Sequence, residues 1–352
     1  MGHSFSKCCA CKQLMPFPSP GNDSTPLARP PRVYNRKYKE VGLIGCGGFG
    51  KVYLVKSVRS QQQFALKKLS KRLLLAGQRE LNLKSILAER HILMTVKTPF
   101  VVKLYHCFQD QSNLYFVLEY CEGGSLERYL RRTIVFSEAS ARFLVCEILV
   151  ALQVLHEEYA VIYRDLKPEN ILLCSDGHVK LADFGLSVMG KTTSVSDCGT
   201  PEFVAPEVLN GTPYTRVVDL WSLGCLTFVL LYGRFPFAHR KQTALFELIR
   251  KGRFEFPTFP SVSAEAKDLI RSLLKVNPAE RLGAEGTSAV TQHPFFHGVD
   301  WEAVRARTVE SPISVQSTGV VRAPRGLSPP TSERISHFTY EVEETVIKAK
   351  SF

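Results

Sequence analysis

Acidic residues are scarce in this chain. Its 352 residues hold 33 Asp+Glu against 45 Lys+Arg, a formal charge of +12. A basic balance suits anionic lipid or nucleic acid, but no aromatic interleaving or nucleic-acid motif accompanies the cations, so lipid is preferred and nucleic acid is not expected as a partner. Long apolar runs are missing too. The longest uncharged apolar stretch, Leu220 to Gly233, is shorter than the roughly 20 residues a bilayer-spanning helix needs, and reads as a buried helix. No apolar signal-peptide core opens the chain. Of ten cysteines, seven (Cys46, Cys107, Cys121, Cys146, Cys174, Cys198 and Cys225) are scattered without paired spacing. That argues against a disulfide framework and for reduced, cytosolic thiols. There are no internal repeats, and no Phe lies between residues 297 and 337.

What is present suits one large catalytic unit with tails: 45% hydrophobic residues, enough for a substantial core. Residues 1–37 are rich in Pro, Ser, Lys and Arg. They carry Lys7, Lys12, Arg29, Arg32, Arg36 and Lys37 against the single Asp23, and are expected to form a disordered basic arm. From Tyr38 strand-like runs appear at 41–44, 51–55 and 63–67, separated by turn residues. Helical spacing follows over 79–96, then strands near 101–108 and 114–119. Helices are expected at 125–132, 137–158, 217–232, 241–251 and 263–274. Strands first and helices later predict an α+β fold of two unequal lobes. The domain occupies 38–296 in this reading, and 297–352 is a tail.

Two runs carry the most chemistry. Tyr163-Arg164-Asp165-Leu166-Lys167-Pro168-Glu169-Asn170 is followed by Asp183-Phe184-Gly185. Asp165 can orient a hydroxyl, while Asn170 and Asp183 offer oxygen ligands at the spacing of a phosphotransferase catalytic loop and metal loop. One such Asp alone would read as a helix cap; the ordered set reverses that. Upstream, Ile44-Gly45-Cys46-Gly47-Gly48-Phe49-Gly50-Lys51-Val52 places glycines at 45, 47 and 50. Alone this fits a hairpin turn or a dinucleotide loop. A dinucleotide loop opens a helix, whereas this one runs into the strand-like Val52-Tyr53-Leu54-Val55, so its backbone amides can cover phosphates between two strands. With these motifs the chain resembles the eukaryotic protein kinase family, over roughly residues 38–340. Tyr163, in place of the usual His, is similar to the AGC group, the branch that includes protein kinase A. Lys167 and Thr200 resemble the serine/threonine type.

The resemblance implies a bilobal kinase fold and transfer of the ATP γ-phosphate to Ser/Thr hydroxyls of protein substrates. Asp165 would orient the acceptor, Lys167 contact the γ-phosphate, and Asn170 and Asp183 hold Mg²⁺. Ala65 and Lys67 share a strand face; Ala65 leaves room for adenine, Lys67 reaches the α/β-phosphates, and Glu89 is its counter-charge. Lys68 points the other way. Val117-Leu118-Glu119-Tyr120-Cys121 resembles the hinge, with Glu119 and Cys121 reading the adenine edge through their backbone. Glu207 and Arg281 match a scaffold pair, and Asp219-Leu220-Trp221 a buried helix that anchors the catalytic loop.

Regulation is where the pattern departs. Ser196 stands where relatives carry an activating phosphate, and Arg164 is its partner. Yet Val188 and Ser85 replace usual basic residues, leaving Lys84 and Lys191 as substitutes. Glu169 and Glu202 match acids that read upstream Arg in substrates, while Ser125 and Val229 stand where others would. Ile335-Ser336-His337-Phe338-Thr339-Tyr340 resembles the AGC hydrophobic motif, expected to dock on the small lobe beside the Glu89 helix with Thr339 as its phosphosite. An upstream kinase is thus an expected partner, and the protein is expected to be a monomer. Met1-Gly2-His3-Ser4-Phe5-Ser6 fits N-myristoylation at Gly2, with Cys8, Cys9 and Cys11 open to palmitoylation. One acyl chain binds membranes marginally; a second chain or a basic arm makes binding lasting. The expected location is therefore the cytoplasmic face of a membrane. Two other readings remain, a pseudokinase scaffold and a small-molecule kinase; intact Lys67, Glu89, Asp165, Asn170 and Asp183 weigh against the first, and Gly199-Thr200-Pro201-Glu202 against the second.

Overall fold

The computed structural model describes residues 33–46, 50–76, 79–190, 200–315 and 338–341. They divide into two compact units, one of residues up to 76 with 105–118 and the end of the chain, the other of the remainder.

The first unit is a sheet. Strands β1 (Val33–Tyr34), β2 (Tyr38–Cys46), β3 (Gly50–Ser57), β4 (Gln63–Ser70), β5 (Leu104–Gln109) and β6 (Asn113–Glu119) lie in the order β1-β2-β3-β4-β6-β5, and Tyr340–Glu341 adds a seventh strand beside β5. A short helix, α1 (Lys71–Leu75), follows β4. One face buries Tyr34, Tyr38, Leu43, Tyr53, Val55, Phe64, Leu66, Tyr115 and Val117. Aromatic and β-branched residues suit such a half-buried pleated surface. Order begins earlier than the boundary expected after residue 37. Val33–Tyr34 pairs antiparallel with Tyr38–Lys39, across a turn in which Asn35 and Arg36 are left-handed (φ 46° and 55°). Such turns match the twist of hairpin strands. Tyr34 then packs its ring 5.5 Å from that of Tyr115. The β5–β6 hairpin is closed by Asp110, whose Oδ1 accepts from the backbone of Ser112 (2.8 Å) and Asn113 (2.7 Å).

The second unit is mainly helical: α2 (Arg79–Thr95), α3 (Leu126–Thr133), α4 (Glu138–Gln153), α5 (Pro206–Leu209), α6 (Val217–Tyr232), α7 (Gln242–Lys251), α8 (Ala264–Leu273), α9 (Ser288–Thr291) and α10 (Trp301–Ala306). Ser125, Ser137 and Ser263 cap α3, α4 and α8 by accepting backbone N–H bonds, as the first turn of a helix requires. Every residue of α6 is buried. A Cβ on Gly224 would lie 2.9 Å from Leu273 Cβ, so glycine lets α6 and α8 pack closely. The helix expected at 137–158 does not run through: after Gln153 a single π turn, Val154–Glu158, finishes it. Short strands β7 (Gly124–Ser125), β8 (Val161–Ile162), β9 (Ile171–Leu173), β10 (Val179–Leu181) and β11 (Val188–Met189) form two small sheets, β10-β9-β7 and β11-β8. They hold the loops that carry the chemistry. The start of the tail, expected to lack periodicity, forms α10, capped by Asp300. Further on, Ser311 Oγ donates to Gly177 O (2.9 Å) and Tyr129 Oη to Ser314 O (3.1 Å).

Candidate active site

In the second unit the site is built outward from one buried carboxylate. Asp219, in the first turn of α6, is fully buried. Its Oδ1 accepts from Arg164 N (2.7 Å) and its Oδ2 from Tyr163 N (2.8 Å). Oδ2 also lies 2.8 Å from His156 Nε2, presented by the π turn. Two backbone amides are thereby pinned immediately before Asp165, and Arg164 is held in the left-handed region (φ 68°). Strained backbone at such a position is sustained by the contacts around it. The Tyr163 ring is buried edge-on to Phe184, with centroids 5.1 Å apart, and its hydroxyl donates to Ala182 O. Burial, then the nearby charges of Asp165, Asp183, Asp219 and Glu89, push this phenol well above its ordinary pKa. Tyr163 therefore stays a donor and ties the loop of Asp165 to that of Asp183.

Around Asp165 the polar network is dense. Lys167 Nζ lies 2.9 Å from Oδ1 and 2.8 Å from Oδ2 of Asp165, and donates to Thr200 Oγ1 (2.8 Å). Asn170 Nδ2 donates to Asp165 O (2.9 Å) and Oδ2 (2.7 Å). With both Nδ2 bonds spent there, the amide oxygen is the Asn170 atom left to meet a hard cation. Asp183 is the second non-glycine residue here with left-handed backbone (φ 56°). Glu89 is 2% exposed and faces the same loop: a Cβ on Gly185 would sit 3.3 Å from Asp183 Oδ1 and 3.8 Å from Glu89 Oε2. Glu119, at the end of β6, bonds Lys180 Nζ (3.1 Å) and accepts from Lys103 N (3.2 Å). Cys121 is buried and its carbonyl accepts from Gly124 N (3.2 Å). Glu169 is exposed, and desolvation by its surroundings raises its pKa.

The first unit holds the glycine-rich turn. Gly45 pairs with Val52 and Cys46 with Lys51, and Ile44 lies within β2. Gly47, Gly48 and Phe49 lie outside the described residues. A Cβ on Gly50 would lie 1.9 Å from Lys68 O, so only glycine permits β3 to approach β4 there. Val52 stands opposite Lys67, and Leu54 opposite Ala65. The two lysines separate across the sheet as alternation requires. Lys67 Nζ lies 5.9 Å from the Phe116 ring centre, whereas Lys68 lies 6.0 Å from Tyr34 and 5.9 Å from Tyr115 on the opposite, aromatic face.

Scaffold residues sit as their motif implied. Arg281 Nη1 and Nη2 clamp Glu207 at 2.7 and 2.9 Å, and the guanidinium lies 5.2 Å from the Trp221 ring centre. Arg164 Nη1 donates to Tyr214 Oη (2.7 Å) and its Nε to Leu186 O. Lys180, His156 and Tyr214 were not singled out from the sequence, for no short motif marks them. Ser196, and the Gly2, Cys8, Cys9 and Cys11 lipidation candidates, lie outside the described residues. Thr339 is exposed, between the buried Phe338 and the added edge strand.

The loop of Asp165, pinned by a buried helix carboxylate and tied through Tyr163 to the loop of Asp183, is the feature to set beside known proteins. The family model described as "Protein kinase domain" matches residues 38–296, and the chain belongs to that family. Among its relatives are Protein kinase 2 of Dictyostelium discoideum (41% identical, covering 78% of this chain and 56% of the relative) and RAC-beta serine/threonine-protein kinase A of Xenopus laevis (40%; 83% and 60%). The cAMP-dependent protein kinase catalytic subunit of D. discoideum is 37% identical (79% and 42%). The chain spans about half the length of these curated relatives.

Proposed function

We propose that this chain is a protein serine/threonine kinase of the AGC type that uses ATP and Mg²⁺. The observation that carries the reading is the network at Asp165, in which one carboxylate is fixed by Lys167 and Asn170 and linked through Lys167 to Thr200. Asp165 is held at an orientation from which it can accept the proton of a substrate hydroxyl. Lys167, bridging Asp165 and Thr200, can steady the phosphoryl group while Thr200 places the acceptor segment. Asn170 and Asp183 would hold Mg²⁺, whose role is to neutralise phosphate charge. Lys67 would bind the α/β-phosphates, with Glu89 its counter-charge, beneath the turn from Ile44 to Val52. The backbone at Glu119 and Cys121 would take the adenine edge. Relatives named as serine/threonine kinases support the acceptor class.

The same reading assigns 1–37 to an acylated basic arm, 38–296 to the kinase domain and 297–352 to the tail. Ser196 and Thr339 would be targets of an upstream kinase. Myristoylation at Gly2, with palmitoylation at Cys8, Cys9 or Cys11, would hold a monomer at the cytoplasmic face of a membrane and direct it to membrane-proximal substrates. The test of the enzymatic reading is phosphorylation of a peptide array by purified protein beside its Asp165→Ala variant. Array signal equal in both would sink it. Gly2→Ala tests the anchor: it should move the protein into the soluble fraction, and an unchanged distribution would refute acylation.

A further inference from the structure

Two large apolar side chains are exposed in the second unit, one packed against Gly233 and the other two residues beyond that glycine. Ile134 is 69% exposed and Phe235 is 40% exposed. Gly233 joins them: a Cβ there would lie 2.6 Å from Ile134 O and 3.2 Å from Ile134 Cγ2, and Phe136 N donates to Leu230 O (2.9 Å) close by. Ile134 closes α3 with φ 67° and ψ −53°, a conformation that is an outlier for a β-branched residue. Glycine would end the helix there without strain. A strained side chain that buries little within its own fold points to a contact made elsewhere.

The two chain segments that carry them are cationic. Neither the segment from Arg128 to Ser137 nor that from Leu220 to Phe246 contains an Asp or Glu, yet together they carry Arg128, Arg131, Arg132, Arg234, Arg240 and Lys241. All six are exposed. Of the flanking acids, Glu127 pairs with Arg131 and so offsets that one cation of the six, and Glu138 pairs with Arg142. The patch also reaches the acceptor segment. Phe235 packs edge-on against Phe203 with centroids 5.7 Å apart, and Phe203 closes the turn that follows Thr200, the partner of Lys167.

We propose that Ile134 and Phe235, within their rim of arginines and lysine, form a docking surface for an acidic, apolar segment of the protein substrate. The inference rests on the kinase reading and deepens it by naming a substrate class. Apolar anchors supply contact area, and a complementary rim supplies specificity and rate of encounter. An anionic lipid surface would also meet these cations, but the join to Phe203 favours a peptide delivered together with its acceptor residue.

The test uses the full chain and a labelled peptide of Asp, Glu, Leu and Phe that contains no Ser or Thr. Fluorescence anisotropy should show saturable binding, weakened by about tenfold or more in Ile134→Gly and in Arg240→Glu/Lys241→Glu. Ile134→Gly should melt no lower than the parent, because glycine accepts the backbone without strain. Joined to a Ser-containing acceptor through a Gly/Ser linker, the segment should lower KM in the parent but not in the variants, with kcat and the KM of the bare acceptor unchanged. Equal binding of a charge-neutral scrambled peptide, or full affinity in both variants, would overturn the proposal. So would variants that lose binding to phosphatidylserine vesicles while keeping the peptide, which would make the surface a lipid site. Peptide binding that depends on Ile134 in a protein that transfers no phosphate would keep the surface and sink the kinase reading.

Discussion

At the scale of single residues, two aspartates 54 positions apart do different work, and substitution should separate them. Asp165 is held by side-chain bonds to Lys167 and Asn170, and Asn keeps its shape, so Asp165→Asn should leave thermal unfolding near that of the parent. Turnover should fall by about 10²–10⁴, the usual contribution of a positioned base. Asp219 is fully buried and satisfies two backbone amides. Asp219→Ala leaves both without a partner at a cost of about 3 kcal/mol, read as a lower denaturant midpoint, and turnover falls with the loop it positions. The order Asp165, Asn170, Asp183 was legible because the chemistry demands it within a short span. The bond from Lys167 to Thr200 crosses 33 positions, and nothing local announces it.

At the scale of elements, the Glu207–Arg281 pair joins the start of α5 to the loop after α8. Both groups are buried, so removing one leaves an uncompensated charge. Arg281→Met should cost about 3–5 kcal/mol in chemical denaturation, whereas exposed pairs such as Glu247–Lys251 should move stability by well under 1 kcal/mol. The β5–β6 hairpin gives a pH test. Burial raises the Asp110 pKa, but bonds from Tyr115, Ser112 and Asn113 outweigh it and hold the carboxyl below its usual range. A depressed pKa stabilises the fold above the ordinary carboxylate value of about 3.9, and that contribution is lost as pH falls through the depressed value. Asp110→Asn should therefore lower the midpoint at pH 7 and become silent in strong acid. Most element positions were legible from periodicity and turn residues. The π turn at Val154–Glu158 was not, because it serves the distant Asp219 rather than its own helix. Nor was the Val33–Tyr34 strand, whose stability comes from Tyr53 and Tyr115 instead of from its own short sequence.

At the scale of the whole molecule, strands first and helices later were enough to predict a β-rich unit and a larger helical one. What composition could not show is that the distant end of the chain completes the sheet. Tyr340 pairs with Cys107 and Glu341 with His106. Phe338, fully buried, sits edge-on to Phe116 with centroids 5.2 Å apart, on the strand that also carries Leu118 and Glu119. Of the expected docking segment, Phe338, Thr339 and Tyr340 lie on the first unit, with Thr339 exposed, while residues 335–337 lie outside the described residues. Phe338→Ala should lower the stability of this unit by about 3 kcal/mol, visible as a lower melting midpoint.

The most direct measurement is phosphate transfer from ATP to Ser- and Thr-containing peptides by the purified full chain in Mg²⁺, beside the Asp165→Ala protein. The account predicts transfer by the parent and a loss of about two orders of magnitude or more in the variant, with both proteins unfolding at similar temperatures. Transfer by the parent no faster than by the folded variant would contradict it.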